Sequence, residues 1–211
     1  MEIKLTFLPG SCLQRKIDKP FEFLVEDVFN VSGVGIVVSG FVNRGEWRLG
    51  EAIHIGPLKN GQTIKAVPKS AHVAQTDVDH VWAGHWACFA IPISKKQRTL
   101  LRQGMVAMKE PFNPISSFTA EVYLVKGKTV TITKNRYEST MHILHMKQPA
   151  RVTGINIGGG ADTSEVTIRQ GGKATMNFEF ARRAGYVRKG MKIIMRDGHV
   201  RGIGIVVDVV R

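Results

Sequence analysis

Residues 19–45 read KPFEFLVEDVFNVSGVGIVVSGFVNRG, and this stretch is the most informative part of the chain about the fold. An apolar run leads to the acidic pair Glu26 and Asp27, a glycine-rich turn follows at residues 32–35, and a second apolar run reaches Gly40. Glycines in such positions permit the tight bends and close backbone approach of a small barrel. From the residues alone, the stretch predicts a β-hairpin.

Alternation of apolar and polar residues continues along the rest of the chain. In residues 174–180, Met176, Phe178 and Phe180 share one face while polar residues occupy the other, as a half-buried strand requires. The same kind of pattern predicts strands at residues 21–28, 35–42, 52–56, 62–67, 86–91, 118–125, 141–145, 150–157, 165–168, 192–196 and 203–210. The chain is therefore expected to be all-β.

The connections between these strands agree with that expectation. Asn60-Gly61 and Asp197-Gly198 are residue pairs that tolerate positive φ, so each predicts a hairpin turn. Residues 94–102 alone predict a helix, and it is short. Many short strands with almost no helix are typical of β-barrels or β-sandwiches.

Two prolines within residues 109–114 interrupt the strand pattern about halfway along the 211-residue chain, which favours a domain boundary there. Residues 1–109 carry 14 basic and 9 acidic side chains, net +5, and residues 110–211 carry 16 and 8, net +8. A formal net charge of +13 indicates a polyanionic partner, which could be nucleic acid, the ribosome or an anionic membrane surface.

Membrane insertion and secretion are disfavoured by the sequence. No apolar run approaches the roughly 18 residues that a membrane-spanning helix needs, and the first residues do not form a signal peptide. Cys12 and Cys88 are expected to be reduced thiols. We therefore expect a cytoplasmic protein without membrane contact.

Motifs for catalysis and for cofactor binding are absent from the sequence. It contains no G-x-x-x-x-G-K-[ST] phosphate-binding loop and no G-x-S-x-G nucleophile motif. His80, His85 and Cys88 form one short-spaced set, and His142 and His145 form another, but neither supplies the two matched pairs that a zinc site usually has. The sequence predicts no catalytic, cofactor-binding or metal-binding residue in this chain.

As a string, residues 20–45 closely resemble the opening of the second domain of translational GTPases such as elongation factor Tu. Residues 49–51 and 102–105 also resemble that family, and residues 195–210 resemble the end of its third domain. Within the superfamily, the most similar branch is the GTP-binding protein 1 group of eukaryotes. The similarity to that branch lies in residues 7–9 (FLP), 55–58 (IGPL), 69–72 (KSAH) and 170–175 (QGGKAT).

The resemblance implies two small antiparallel β-barrels. Residues 19–110 would form the second-domain-like barrel and residues 111–211 the third-domain-like barrel, after a lead-in at residues 1–18. The phosphate-binding loop would then lie upstream of Met1, which we expect to be an artificial or truncated start. The full-length parent is expected to be a GTPase that uses GTP and Mg²⁺, whereas this chain alone should hydrolyse no GTP.

The resemblance also implies an RNA-binding pocket in the first barrel, because the second domain of elongation factor Tu receives the aminoacyl end of tRNA. The matching positions offer a carboxylate, an aromatic face, an apolar wall and a hydroxyl: Asp27, Phe29, Val31 and Ser39. Ser70, with His72 close by, aligns where that factor has a glutamate against the terminal base, and Trp86 aligns with an asparagine against the aminoacyl group. The pocket is thus altered. The alternative for Asp27 and Phe29 is plain barrel structure.

A basic surface is expected on the second barrel, since the family's third domain contacts the acceptor and T stems of tRNA. The residues assigned to it lie mostly in predicted turns and strand ends, from which Lys and Arg reach phosphates without crowding a core. They are Lys126, Lys128, Arg136, Arg182, Arg183, Arg196 and Arg201. The alternative is a solvated basic face without a ligand.

Two functions remain open from the sequence. In the first, the chain is the two-barrel region of an elongation-factor-Tu-like GTPase, binds tRNA or ribosomal RNA, and docks on its own N-terminal GTPase domain. In the second, it is a non-enzymatic module that contacts a protein partner, such as an RNA-decay complex or an exchange factor. RNA binding would weaken steeply with salt, whereas an apolar protein interface would change little.

Overall fold

The computed structural model describes residues 16–126, 129–156, 163–198 and 200–210. Most of the predicted lead-in, residues 1–15, lies outside them. The first half consists of the strands β1 (Glu22–Val31), β2 (Gly35–Arg44), β3 (Glu46–Arg48), β4 (Ile53–Gly56), β5 (Ile64–Ala66), β6 (Ser70–Val73), β7 (Thr76–Val78), β8 (His80–Trp82) and β9 (Trp86–Ile91), the helix α1 (Lys95–Arg98) and the strand β10 (Met105–Met108).

The second half contains eight strands and no helix among the residues described. They are β11 (Ser117–Lys126), β12 (Val130–Thr133), β13 (Glu138–Ile143), β14 (Met146–Asn156), β15 (Glu165–Ile168), β16 (Lys173–Phe180), β17 (Lys192–Asp197) and β18 (Val200–Val210). The all-β prediction is therefore confirmed.

In the first half, eight strands form one sheet in the order β5-β4-β10-β1-β2-β9-β6-β7, which curls around its own core. We call this unit the curled sheet. Its centre is the predicted hairpin β1–β2, in which a bulge lies between Val25 and Asp27. A Cβ on Gly40 would overlap the carbonyl oxygen of Leu24, so the close approach of the two strands requires glycine at this position.

The second half is a closed barrel of six strands in the order β11-β16-β14-β13-β17-β18, with β12 and β15 paired beside it. Its core is separate from that of the curled sheet and is filled by side chains that alternate along the strands, among them Phe118, Met141 and Phe178. Closure pairs the edge strands with each other, so none of the six offers a free edge. The two-barrel prediction thus agrees with one closed barrel and one curled half-barrel sheet.

A buried ion network joins the two units. Glu22 at the start of β1 is fully buried, and its carboxylate accepts hydrogen bonds from Arg44 Nε at 3.0 Å and from Tyr186 Oη at 2.9 Å. Arg44 Nη2 also donates to Tyr186 Oη at 3.1 Å. Because Glu22 and Arg44 belong to the curled sheet and Tyr186 to the closed barrel, this network fixes one unit against the other.

The turn between β13 and β14 makes a second contact across the junction. His145 Nε2 lies 2.6 Å from the carbonyl oxygen of Met105, to which it donates, and Gly104 packs on Met146. Burial lowers the pKa of His145, although the hydrogen bond to Met105 acts the other way. The imidazole is therefore held mainly in its neutral form at neutral pH.

Candidate nucleic-acid interface

Five of the seven pocket residues inferred from the resemblance lie on two cross-strand rows of the outward face of the curled sheet. One row runs across β1, β2, β9 and β6 through Asp27, Ser39, Cys88 and His72. The next row runs through Phe29, Val37, Ala90 and Ser70, and Val31 follows Phe29 on the same face of β1. Trp86 lies on this face of β9, opposite Phe41. The structure therefore brings all seven to one surface.

A groove of about 510 Å³ lies in this surface. Four of the seven residues line it, namely Val31, Ser70, His72 and Trp86, while Asp27 and Phe29 lie beside it on the same face. Ser39 is only 6% exposed, so its hydroxyl is poorly placed to meet a ligand. The groove is completed by residues that the sequence analysis did not assign to the pocket, which are Val34, Val37, Ala74, Gln75, Cys88 and Ala90.

The groove is apolar and aromatic rather than cationic, and none of the described residues that line it is a Lys or Arg. Trp86 is 57% exposed and Phe29 is 44% exposed, so two aromatic faces are available to a ligand. Burial raises the pKa of the Cys88 thiol, which therefore stays protonated and unreactive at neutral pH. Such a surface suits the flat faces of nucleobases better than a phosphate.

A second concave site lies where the two units meet. It is a cleft of about 90 Å³ between the start of β10 and residues 146–148 and 182–185 of the closed barrel. Its basic side chains are Arg102, Lys147, Arg182 and Arg183.

Arg102 is the least hydrated cation of this cleft. It is half-buried, and its Nη1 donates to the carbonyl oxygen of Pro57 at 2.9 Å. Burial and the nearby charge of Arg183 lower the pKa of Arg102 to about 10, so it stays protonated at neutral pH. Arg102 is absent from the predicted sites because it is the last residue of the predicted helix, and only the fold brings it near Arg183.

The backbone around Arg183 is fixed from the closed barrel. Gln148 on β14 is 7% exposed, and its Nε2 donates to the carbonyl oxygen of Arg183 at 3.1 Å. Among the residues described, no ion pair or hydrogen bond links a carboxylate to Arg102, Arg182 or Arg183. The cleft is therefore a positive site without an internal counter-ion.

The other predicted basic residues are more scattered. Arg196 and Arg201 face each other across β17 and β18 and are both exposed, and Arg136 is exposed in the turn between β12 and β13. Lys126 is described only in its backbone, which lies opposite Arg201, and Lys128 lies outside the described residues. The structure thus brings Arg182 and Arg183 together in the cleft and places Arg196 and Arg201 on the barrel wall.

Several other cations are balanced by carboxylates. Arg151 Nη2 lies 2.7 Å from Glu138 Oε1, and Lys173 Nζ lies 2.9 Å from Glu121 Oε1. On the curled sheet, Lys109 Nζ lies 2.8 Å from Glu51 Oε1. These cations already have a carboxylate partner at the surface, whereas the cations of the cleft are available to an external anion.

An apolar patch covers part of the outward face of the closed barrel. Ile194, Ile203 and Ile205 are each about half exposed, and Tyr123 lies beside them on β11. Together they line a groove of about 450 Å³ bordered by Lys173 and Lys192. Exposed apolar side chains that adjoin one another mark interaction surfaces more often than scattered ones do.

Metal-binding clusters and membrane-spanning helices are also relevant to the predicted chemistry. Among the residues described, no group of three or more His, Cys, Asp or Glu side chains is arranged to hold a metal ion. Within the same residues, no helix is long and apolar enough to cross a membrane.

Comparison with known proteins supports the resemblance drawn from the sequence. No family model matches the chain. The chain is 29% identical to GTP-binding protein 1 of Xenopus laevis over 189 residues, which are 90% of this chain and 27% of that protein. It is 30% identical to GTP-binding protein 2 of Mus musculus and of Homo sapiens over 190 residues, which are 89% of this chain and 30% of each relative.

These relatives confirm the similarity to the GTP-binding protein 1 group of translational-GTPase-like proteins. The chain spans less than a third of the length of each of them.

Proposed function

We propose that this chain, which is similar over nine-tenths of its length to part of GTP-binding proteins 1 and 2, is the RNA-binding two-barrel region of a translational GTPase-like protein. The observation that supports this proposal most is the cleft between the two units. Arg102, Arg182 and Arg183 line it, and among the residues described no carboxylate forms an ion pair with any of the three. A phosphate group is the natural counter-ion for clustered guanidinium groups.

The groove on the curled sheet supplies the second half of the RNA site in this proposal. Its exposed Trp86 and Phe29 offer stacking faces, and Ser70 and His72 offer polar groups for the edge of a base. The RNA is a tRNA or a ribosomal RNA, and the protein would then act in the cytoplasm.

The apolar patch on the closed barrel favours a second, compatible function, which is docking of a GTPase domain. The rest of the protein is the occupant that we propose, because the chain covers less than a third of relatives that are named for GTP binding. GTP and Mg²⁺ would bind in that domain, since this sequence has no phosphate-binding loop. An exchange factor or an RNA-decay complex is the alternative occupant.

The test is a salt series on the purified chain with a short fluorescent RNA. If several phosphates contact the protein, log K falls linearly with log salt, by about 0.7 per contact for single strands and about 0.9 for duplexes. Three contacts would weaken binding by about tenfold to fiftyfold between about 50 mM and about 200 mM salt.

Two results would contradict the proposal. One is the absence of RNA binding at low salt, and the other is binding that does not change with salt. Steady GTP turnover by the same preparation, free of contaminating GTPase, would contradict the assignment of GTP hydrolysis to the rest of the protein.

A further inference from the structure

We propose that the outward wall of the closed barrel carries an anion site centred on His142, which shares Lys147 with the cleft, takes a phosphate group of an RNA backbone and binds a proton together with it. The proposed function supplies only the identity of the anion. The site itself rests on the strand register around His142 and on the charges that face it.

The register surrounds His142 with cations. On one side, Lys147 of β14 lies directly opposite His142, at the spacing of about 5 Å that is usual between Cβ atoms of such pairs. On the other side, Ile194 of β17 lies opposite, and Lys192 and Arg196 flank it on the same face. Three cations from two strands therefore border one imidazole.

Among the residues that the structure describes, no carboxylate forms an ion pair with Lys147, Lys192 or Arg196 beside His142. Glu138 precedes it on the same face of β13, but that carboxylate accepts two hydrogen bonds from Arg151, at 2.7 and 3.0 Å. Burial lowers the pKa of His142, and so do the charges of Lys147 and Arg196. The neutral imidazole is thus maintained by its neighbours, and an anion bound among them would reverse their effect.

The consequence is linkage between phosphate binding and protonation. A phosphate that contacts Lys147 and Arg196 screens their repulsion of the imidazolium and adds an opposite charge, so it raises the pKa of His142. By reciprocity, binding becomes tighter as the pH falls through the pKa values of the free and bound states. The affinity for the anion rises by up to about tenfold when the pH falls from about 7.5 to about 5.5.

The experiment is a pH titration of the histidine ring signals by NMR, for the chain alone and with inorganic pyrophosphate, a short oligouridine or polyglutamate. His54 is the matched control, because it also lies on a strand opposite a lysine, Lys65, which lowers its pKa together with burial. We expect pyrophosphate and oligouridine to raise the pKa of His142 and to leave that of His54 unchanged.

The variant His142→Gln should bind oligouridine with the same affinity at about pH 7.5 and at about pH 5.5. The variant His54→Gln should still bind it more tightly at the lower pH. A pKa of His142 that neither pyrophosphate nor oligouridine moves would overturn the inference, even if RNA binds elsewhere. A rise caused by polyglutamate alone would overturn it in favour of an acidic protein. A rise with pyrophosphate but no RNA binding would keep the anion site and reject both RNA as its ligand and the proposed function.

Discussion

The outward faces of the curled sheet and of the closed barrel differ in chemistry, although both halves of the chain are basic. The groove of the curled sheet is lined by apolar and aromatic residues such as Trp86 and has no lysine or arginine. The wall of the closed barrel carries Lys147, Arg196 and Arg201, and none of the three has an ion pair among the residues described. Net charge alone does not reveal this division.

The difference shows where a basic charge balance is informative. Arginines such as Arg151 that are paired with carboxylates contribute to the count but attract an anion weakly, because their partners compete for it. Arg102 and Arg183 matter more, since the fold brings them to one cleft and, in the described part of the chain, neither is paired with a carboxylate. The two faces should therefore respond to different perturbations, and the junction between them should control the stability of the molecule.

The largest effect is expected at the junction, since it holds the two faces in one arrangement. Glu22→Gln leaves Arg44 poorly compensated in a buried site, and we expect a loss of about 3 kcal/mol in the free energy of unfolding. Urea denaturation followed by tryptophan fluorescence measures it. Glu138→Gln, which removes the exposed pair with Arg151, should cost less than about 1 kcal/mol. Equal losses in the two variants would mean that the buried network does not stabilise the junction.

The second-largest effect is expected in the apolar and aromatic groove of the curled sheet. Trp86→Ala should weaken RNA binding by about 1–3 kcal/mol through lost stacking and leave the salt dependence unchanged. Tyr123→Ala is the control, because Tyr123 is also an exposed aromatic residue but lies on the other unit. Fluorescence anisotropy at several salt concentrations measures both quantities. A fall in the salt slope for Trp86→Ala would contradict the division between the two faces.

A smaller change is expected from the cationic side. Arg183→Gln should reduce the slope of log K against log salt by about 0.7–0.9, the value of one phosphate contact. Arg151→Gln serves as the comparison, because Glu138 already occupies that guanidinium and the slope should stay as in the parent chain. The same anisotropy series provides the measurement, and identical slopes for the two variants would count against the cleft as a phosphate site.

The smallest effect involves pH. The pKa of His145 is lowered in the folded protein, so the unfolded chain binds the proton more readily and stability falls as the pH drops below about 6.5. His145→Gln keeps a donor for the carbonyl oxygen of Met105 but cannot titrate. We expect a smaller loss of stability between about pH 7.5 and about pH 5.5 for this variant than for the parent chain. Unfolding curves at the two pH values would refute this if the losses were equal.

The sequence predicted the strands that have their own alternating pattern. The bounds of β9 (Trp86–Ile91) and β15 (Glu165–Ile168) agree with the prediction, and β1 and β2 form the expected hairpin. Strands such as β3 (Glu46–Arg48) and β7 (Thr76–Val78) were missed, because three residues carry no usable period and are held in place by their partners. β10 was also missed, since its continuous apolar run does not alternate.

Local signals located the remaining elements approximately. Ser94 and Gln97 form a capping box at the start of α1, but the helix ends at Arg98, four residues before the predicted end. Leu101 is buried in the core of the curled sheet, so the chain turns inward there. The hairpin after β17 turns one residue later than predicted, because Asp197 still pairs with Val200.

The candidate site was only partly accessible to prediction. Period-two alternation explains why Asp27, Phe29 and Val31 share the face of Ser70 and Trp86, once the strand order is known. The cleft depends on contacts between two separately folded units, and no local pattern encodes the distance between Arg102 and Arg183.

A practical consequence follows from the backbone of three turns. Within the part of the chain that the structure describes, positive φ at a residue other than glycine occurs at Ala74, Gln75, Asn135 and Leu144. The chain contains 22 glycines, but none of them occupies these four positions. Ala74 and Gln75 border the groove, and Leu144 precedes His145 at the junction. Replacing any of the three with glycine would relieve backbone strain and give a more stable protein for crystallisation. Each replacement is expected to raise the free energy of unfolding by up to about 1 kcal/mol. The same turns also shape the groove and the junction.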